Sequence, residues 1–256
     1  MSLPGNRPMS DPSASASSGG WPNTSWTLLR AGQDPANPDC VEDRNQFLTR
    51  YWKPVFVFLR AKRYSPQLAE ELTQAFFLHV LERGCFPGAE REKGKFRSYL
   101  LGALCHFLAD QAPDRLKRQR VFEQRLVSLG NLLSEEDRQY EPPAGEPVET
   151  IFMKQWAIDL VRDVRRRVKS HCERRGHPLW YDVFDAYHPA APDASPPPSE
   201  QELGNRLGLT RDQVRYAREQ AEQAFRVLLR AEVRDQVSDD TDIDDEIREL
   251  QALLGH

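Results

Sequence analysis

The sequence has few cysteines, and none of them form a pair at metal-binding spacing. The cysteines lie far apart in the chain, at Cys40, Cys85, Cys105 and Cys172. Without a CxxC pair they predict neither a disulfide framework nor a zinc ribbon, and they are typical of reduced cytosolic thiols. The one mixed group, His171, Cys172 and His177, fits no standard zinc spacing. We therefore expect no metal site.

Long apolar runs and a targeting segment are also lacking. The longest apolar run, residues 99–109, is interrupted by His106 and falls well short of the ~20 residues that a membrane span needs. The first residues, MSLPGNRPMSDPSASASSGG, have neither the basic start nor the apolar centre of a signal peptide. We expect a soluble cytoplasmic protein that does not bind membranes.

The motifs that carry covalent chemistry are missing as well. The sequence contains no Gly-rich phosphate loop, no Ser-His-Asp order with a supporting motif, and no repeated acidic metal-binding set. We expect neither catalytic residues nor a cofactor, and therefore no enzyme.

Charge is present in quantity, but it is unevenly distributed. The chain carries a formal net charge of −4, yet residues 91–120 hold eight Lys or Arg against three acids, a local charge of +5. Residues 232–256 hold nine acids against two arginines, a local charge of −7. Because a local patch decides nucleic-acid binding more than the sum of charges does, the basic segment is compatible with a nucleic-acid partner.

Apolar residues recur at helical spacing through most of the chain. One predicted helix begins with Ser65 as N-cap and Pro66 at its first position. An earlier helix over 41–62 contains Pro54, which predicts a kink or a break. Apolar residues that step by four from Phe152 to Val168 mark another amphipathic helix. These patterns predict an all-α chain.

Composition divides this chain into two small helical domains joined by an acidic linker. A hydrophobic content of 39% is low for one compact body. Residues 131–150 contain six acids against one arginine, with three prolines, which predicts an extended linker without a core of its own. The expected order is a disordered leader over 1–23, a first domain over 24–112, a linker over 113–150, a second domain over 151–233 and an acidic tail over 234–256.

The last helix of the first domain begins among cations and aromatic residues. Its apolar face carries Phe96, Leu100 and Leu104, with Tyr99 beside them. The cations at its start are Arg91, Lys93, Lys95 and Arg97. This mixture suits single-stranded nucleic acid, because cations neutralise phosphates and aromatic rings stack on bases.

The second domain contains the spacing of a helix-turn-helix over 199–214, followed by a long helix to Val233. Gly208 supplies the turn, and Gly204 lets the two helices approach each other. Two capping boxes mark the helix starts, Ser199 with Glu202 and Thr210 with Gln213. This combination predicts a module that reads duplex DNA.

Two stretches of the first domain carry a resemblance to a known family. They are Thr73-Gln74-Ala75-Phe76-Phe77 and Gly94-Lys95-Phe96-Arg97-Ser98-Tyr99-Leu100-Leu101. They resemble region two of the extracytoplasmic-function sigma factors, small sigma-70-type subunits of bacterial RNA polymerase, and the planctomycete-type branch in particular. The resemblance extends from Ser25 to Leu254 with gaps at the linkers, and it depends on the order of the motifs.

The resemblance implies a protein that binds core RNA polymerase and promoter DNA, with an anti-sigma factor or other regulator as a further candidate partner. The polymerase-binding surface that it implies lies off the apolar stripe of the helix after Ser65. Its residues are Glu70, Glu71, Gln74 and Phe77. Ala75 departs from the family pattern, because relatives usually have an acid there.

The resemblance further implies that the chain opens the minus-ten element of the promoter and holds one strand. The implied residues are Arg91, Lys93, Lys95, Phe96, Arg97, Tyr99 and His106. Tyr99 is the main candidate to stack on bases. For Phe96 two alternatives stay open, contact with DNA or burial in the core, because its spacing to Leu100 suits both.

For the upstream, minus-thirty-five element, we expect the helix that begins at Thr210 to enter the major groove. The side chains that it presents are Arg211, Gln213, Arg215, Tyr216 and Arg218. Arginine can bind guanine through two hydrogen bonds. Asp212, Glu219 and Glu222 oppose this affinity by repulsion.

Two alternatives remain. The same motifs fit a stand-alone helix-turn-helix regulator that binds DNA unaided, with the N-terminal helices as an interaction module. In the tail, acids precede the apolar residues Ile247, Leu250 and Leu253, which predicts a short helix. That helix is either a solvated, frayed end or a segment that covers a basic surface or binds a regulator.

Overall fold

The computed structural model consists of α-helices connected by turns and loops, which confirms the expected all-α fold. It describes residues 39–82, 95–110, 133–143, 145–189, 196–234, 236–237 and 240–255. Within these residues no strand occurs, and no helix is both long and apolar enough to cross a membrane. The expected leader over 1–23, the first residues of the expected first domain, 24–38, and the cations Arg91 and Lys93 lie outside the described residues.

The described residues form nine α-helices, with a 3-10 turn at Asp240–Asp242 before the last. They are α1 Cys40–Ala61, α2 Pro66–Glu82, α3 Phe96–Asp110, α4 Glu135–Arg138, α5 Val148–Arg174, α6 Leu179–Tyr187, α7 Glu200–Leu207, α8 Arg211–Arg234 and α9 Ile243–Leu254.

Helix α5 is the centre of the fold. It contacts α1, α3, α6, α8 and α9. The residues predicted to form its apolar face are all buried: Phe152, Trp156, Leu160, Val164 and Val168. Ile151 and Gln155, outside this series, are buried as well, so α5 packs among several neighbours rather than on one surface.

One continuous core joins residues from both predicted domains. Phe58 of α1 meets Phe152 of α5 edge-on, with ring centroids 6.2 Å apart. The buried carboxylate of Glu232 in α8 pairs with Arg50 of α1 at 2.8 Å and with Arg167 of α5 at 2.9 Å. Apolar packing and a buried ion pair therefore connect the beginning of the described chain to its C-terminal half.

Helix α1 continues through Pro54, so the expected break does not occur. The side chains on both sides of the proline, including Tyr51, Val55 and Phe58, are buried. Each such side chain contributes about 1.5–3 kcal/mol on burial, whereas a proline inside a helix costs about 3 kcal/mol. Packing of α1 against α2 and α5 therefore outweighs the cost of Pro54.

The segment after residue 132 is not extended, so this part of the linker prediction is wrong for residues 133–138. Leu133 is buried against the core. Ser134 and Asp137 then form a reciprocal capping box that starts the single turn α4. Asp137 also pairs with Lys53 of α1, and its hydrogen bonds from Lys53 and Ser134 overcome the effect of burial and hold its pKa below the ordinary value.

Candidate nucleic-acid interface

The pair α7–α8 is formed as its capping residues predict. The Glu202 backbone N–H donates to Ser199 Oγ at 3.2 Å, and the Ser199 N–H donates to the Glu202 carboxylate at 2.9 Å. Hydrogen bonds to the Glu202 carboxylate from the Ser199 hydroxyl, at 2.7 Å, and from the Ser199 N–H hold the pKa of Glu202 below its ordinary value. At α8 the Thr210 N–H donates to the side chain of Gln213 at 2.8 Å, and the Gln213 N–H donates to the Thr210 hydroxyl at 3.2 Å.

Two glycines fix the angle between these helices. Gly208 ends α7 in the left-handed region, at φ 70°, where a glycine has no side-chain penalty. The α-carbon of Gly204 lies so close to the next loop that an added Cβ would stand 2.6 Å from the carbonyl oxygen of Leu209. The Leu209 N–H donates to the Gly204 carbonyl oxygen at 2.9 Å. Gly208 therefore ends α7 in a left-handed turn, and the missing side chain of Gly204 allows the loop at Leu209 to approach α7 closely.

A small second core attaches the pair to α6. Its fully buried members are Val183 of α6, Leu203 of α7, and Val214 and Ala217 of α8. Helix α8 also contacts α5 and α9. The orientation of α8 is therefore set by four neighbouring helices, and its outer side is left to solvent.

The side chains predicted to reach DNA lie on that outer side. Arg211, Gln213, Arg215 and Tyr216 are exposed, and Tyr216 has 55% of its surface accessible. Arg218 is half-buried, with its guanidinium 4.9 Å from the centre of the Tyr187 ring. The first two turns of α8 thus present cations and hydrogen-bonding groups together.

Glu200 holds two of these arginines and was missed by sequence reasoning. Its carboxylate accepts from Arg211 Nε at 2.8 Å and from Arg215 Nη2 at 3.2 Å. These bonds lower the pKa of Glu200 to about 2. No local pattern could have indicated the contact, because it joins the first residue of α7 to positions 211 and 215 of the next helix.

The start of α3 differs from the sequence prediction. Phe96 is fully buried, with its ring centroid 5.1 Å from that of Tyr51 and 6.0 Å from that of Phe47. Of the two alternatives for Phe96, burial in the core is therefore confirmed. Tyr99 is half-buried beside it, and His106 is exposed.

Arg97 is also buried, although it was predicted to neutralise phosphate. It has 1% of its surface accessible, and its guanidinium lies 4.6 Å from the centre of the Trp156 ring. Burial lowers the pKa of Arg97, an effect that the nearby charge of Glu249 opposes. The expectation that Arg97 lies open to nucleic acid is wrong in this structure, because α9 covers it.

Helix α9 contributes two carboxylates that pair with Lys95 and Arg97 at the start of α3. Glu246 is fully buried and pairs with Arg97 and with Lys95, in the second case at 2.7 Å. Glu249 pairs with Lys95 and with Arg97 Nη2, the latter at 2.8 Å. Burial would raise the pKa of Glu249, but the hydrogen bonds and charges of the two cations outweigh it and hold that pKa below its ordinary value.

The predicted polymerase-binding surface on α2 is exposed only in part. Glu71 is exposed, Gln74 is half-buried, and Glu70 is half-buried in an ion pair with Arg138 of α4 at 3.4 Å. Phe77 has no accessible surface and stacks on Trp52, with ring centroids 5.5 Å apart. The prediction that Phe77 is exposed is wrong, because α2 is buried on a wider face than the stripe through Leu72 and Phe76.

Metal binding has no candidate in the part of the chain that the structure describes, where no three His, Cys, Asp or Glu side chains are grouped to hold an ion. Comparisons of the chain with models of protein families, with curated proteins and with solved structures found no match. The assignment of function therefore depends on the geometry of α2, α3, α7, α8 and α9 and on the order of the sequence motifs.

Proposed function

We propose that the protein is an extracytoplasmic-function sigma factor, a dissociable subunit that directs bacterial core RNA polymerase to promoters in the cytoplasm. The observation that carries the proposal is the α7–α8 pair, in which two capped helices meet at Gly208 and α8 leaves its first turns exposed. The order of motifs before it, a docking helix and then a basic helix start, supports the same assignment. The proposal needs no cofactor and no covalent step.

In this proposal α8 reads the upstream, minus-thirty-five element in the major groove. Arg211 and Arg215 are the main candidates for base contacts, since an arginine bound to guanine by two hydrogen bonds discriminates by about 1–3 kcal/mol. In the free protein Glu200 accepts from both guanidinium groups. The remaining N–H donors of each guanidinium can bind a base or a phosphate.

Opening of the minus-ten element is assigned to the region around the start of α3. Tyr99 is the proposed base-stacking residue, and Lys95 and His106 are predicted DNA-binding residues near it in the chain that keep accessible surface. Arg91 and Lys93 belong to the same proposal on the strength of the sequence alone. Arg97 can contribute only after α9 has moved.

Polymerase docking is assigned to the outer side of α2. Glu71 and Gln74 retain accessible surface there, and Glu70 becomes available if its pair with Arg138 opens. Phe77 is not included, since it is part of the core. The docking surface is thus polar, and its affinity for core polymerase should weaken as salt increases.

Run-off transcription tests the proposal directly. The full-length chain is added to bacterial core polymerase with fragmented DNA of the source genome, and the transcripts are mapped. A sigma factor yields transcripts from a defined set of sites, and permanganate detects an opened segment just upstream of each start. Absence of specific transcripts with active core polymerase would contradict the proposal.

A stand-alone helix-turn-helix regulator is the alternative function. It is favoured by the burial of Phe77 and Arg97, which removes two expected contacts of a sigma factor while the exposed side of α8 is unaffected. Selection of duplex DNA by the chain alone separates the two functions. A regulator enriches an operator sequence without polymerase, whereas a sigma factor enriches one only when core polymerase is present.

A further inference from the structure

Lys95 and Arg97 form a basic pair at the start of α3 that is already occupied by another part of the chain. Each of these cations pairs with both Glu246 and Glu249 of α9. Arg97 has 1% of its surface accessible and Glu246 has none, so the contact is closed to solvent at its centre. Lys95 lies at its edge with 35% of its side chain accessible.

The contact is anchored by apolar packing on both sides of the charges. Ile243 and Leu250 of α9 are buried, and Val237 is buried ahead of them. The Tyr51 hydroxyl donates to the side-chain oxygen of Gln236 at 3.4 Å. Helix α9 is thus docked by a defined surface, and its two carboxylates, one turn apart, are directed at the two cations.

Carboxylates and phosphates compete for the same donors. Lysine and arginine bind both groups through short, charge-assisted hydrogen bonds, and one cation cannot be fully engaged by both. The two carboxylates on successive turns of α9 present anionic hydrogen-bond acceptors to Lys95 and Arg97, as two phosphates of a nucleic-acid strand would. Phosphates can therefore reach these cations only where the carboxylates have left.

The properties of helix α9 allow it to undock from the core. It is twelve residues long, which is marginal for an isolated helix in water, so undocking and unfolding of α9 are coupled. Burial of Arg97 and Glu246 removes both charges from water, and this desolvation opposes docking. A short helix whose docking is opposed by such desolvation is typical of segments that open locally.

We propose that α9 and single-stranded nucleic acid compete for Lys95 and Arg97, so that the chain binds a single strand tightly only when α9 is displaced. The inference depends on the proposed function in one respect, that the start of α3 binds single-stranded DNA. Beyond that function, it assigns to α9, an acidic segment of the same chain, the role of blocking Lys95 and Arg97. Core polymerase or promoter DNA must displace α9 before the strand is held.

Binding of a fluorescein-labelled oligo-dT, followed by anisotropy at low salt, tests the competition. A chain lacking residues 238–256 is expected to bind about tenfold more tightly than the full chain. Since each neutralised phosphate of a single strand contributes about −0.7 to the slope of log K against log salt, release of two cations should steepen the slope by roughly 1.4. Circular dichroism checks that the shortened chain remains helical.

Point variants provide a test that does not depend on the deletion. Glu249→Gln removes one anionic partner of Lys95 and Arg97 and should raise oligo-dT affinity about threefold. Asp245→Asn is the matched control on the same helix, because the Asp245 side chain is 69% accessible and pairs with Arg248. In a Lys95→Ala background the gain from Glu249→Gln should shrink, since the two groups act on each other.

The outcomes separate the inference from the proposed function. If neither the deletion nor Glu249→Gln raises affinity, or if Asp245→Asn raises it equally, the competition is refuted, even when the full chain directs transcription. If affinity rises as expected but neither chain yields transcripts with core polymerase, the competition holds and the sigma-factor proposal fails.

Discussion

Arg97 shows how a single buried residue can depend on a distant partner. Its guanidinium is held between the Trp156 ring and the carboxylates of Glu246 and Glu249. A buried ion pair adds little net stability, but removal of one partner leaves an uncompensated buried charge. The consequence of mutating Arg97 is therefore set by Glu246, which is itself fully buried.

Arg97→Ala is expected to lower the free energy of unfolding by about 3–5 kcal/mol, the usual cost of breaking a buried pair. Lys95→Ala is the matched control, because Lys95 is partly exposed and should cost less than about 1 kcal/mol. Urea unfolding followed by circular dichroism measures both. Equal losses for the two variants would show that Arg97 is not a buried charge, and Arg97→Met combined with Glu246→Leu should recover most of the stability.

A second prediction at this scale concerns two helical glycines in opposite surroundings. Gly204→Ala places a Cβ 2.6 Å from a backbone oxygen, so the loop at Leu209 must move and stability should fall by about 1–3 kcal/mol. Gly102→Ala in α3 meets nothing within 4 Å and should instead stabilise by about 0.5–1 kcal/mol, because alanine restricts the unfolded chain. Thermal melts of the two variants should shift in opposite directions.

At the scale of elements, helix starts were predictable and burial was less so. Ser65 with Pro66, Ser199 and Thr210 mark helix starts within a few residues of themselves, and the structure has helices beginning there. The turn α4 was missed because a run of acids obscured the Ser134–Asp137 capping box. Local signals thus fix where a helix begins, even in a segment whose average composition predicts an extended chain.

The burial of Phe77 and Arg97 was missed for a different reason. Apolar periodicity identifies one face of α2, but Phe77 extends that face toward Trp52 of α1. Burial of Arg97 depends on Glu246, at the other end of the chain. Contacts of this range cannot be read from the neighbouring sequence, and the packing of α9 on α5 and α8 brings the partners together.

The prediction at the scale of elements is that the first turns of α8 read bases in the promoter. Arg215→Ala should change the preferred bases at one or two upstream promoter positions, because Arg215 lies in the exposed first turns. Arg226→Ala is the control: Arg226 is also exposed but lies roughly 16 Å further along the helix, at ~1.5 Å per residue. Selection from randomised promoters with core polymerase measures both. Unchanged preference for Arg215→Ala would mean that α8 does not read these bases.

At the scale of the whole molecule, the opposite charges of the two segments meet. The acidic tail contributes Glu246 and Glu249, and the basic segment contributes Lys95 and Arg97. The overall charge of −4 conceals this arrangement, since it reports the sum and not the pairing. Both segments are evident in the sequence, which leaves their contact as one of two alternatives for the tail. The geometry of the described residues supports the alternative in which the tail covers a basic surface.

The shared core leads to the last prediction, that α1 and α8 unfold together. In two separate domains they would lose structure at different urea concentrations, whereas a single core gives one cooperative transition. Here Glu232 of α8 pairs with Arg50 of α1, and Phe58 packs on Phe152 of the central helix α5. Loss of α5 would therefore expose the buried side of α1 and remove Arg167, the second ion-pair partner of Glu232. Hydrogen exchange read by mass spectrometry across a urea series should give peptides from both helices the same midpoint.

A chain shortened to residues 39–143 should fail to fold, because it keeps the apolar side of α1 without the helix that covers it. Separate midpoints, or a folded 39–143 fragment, would instead show that the first half of the described chain is an independent domain.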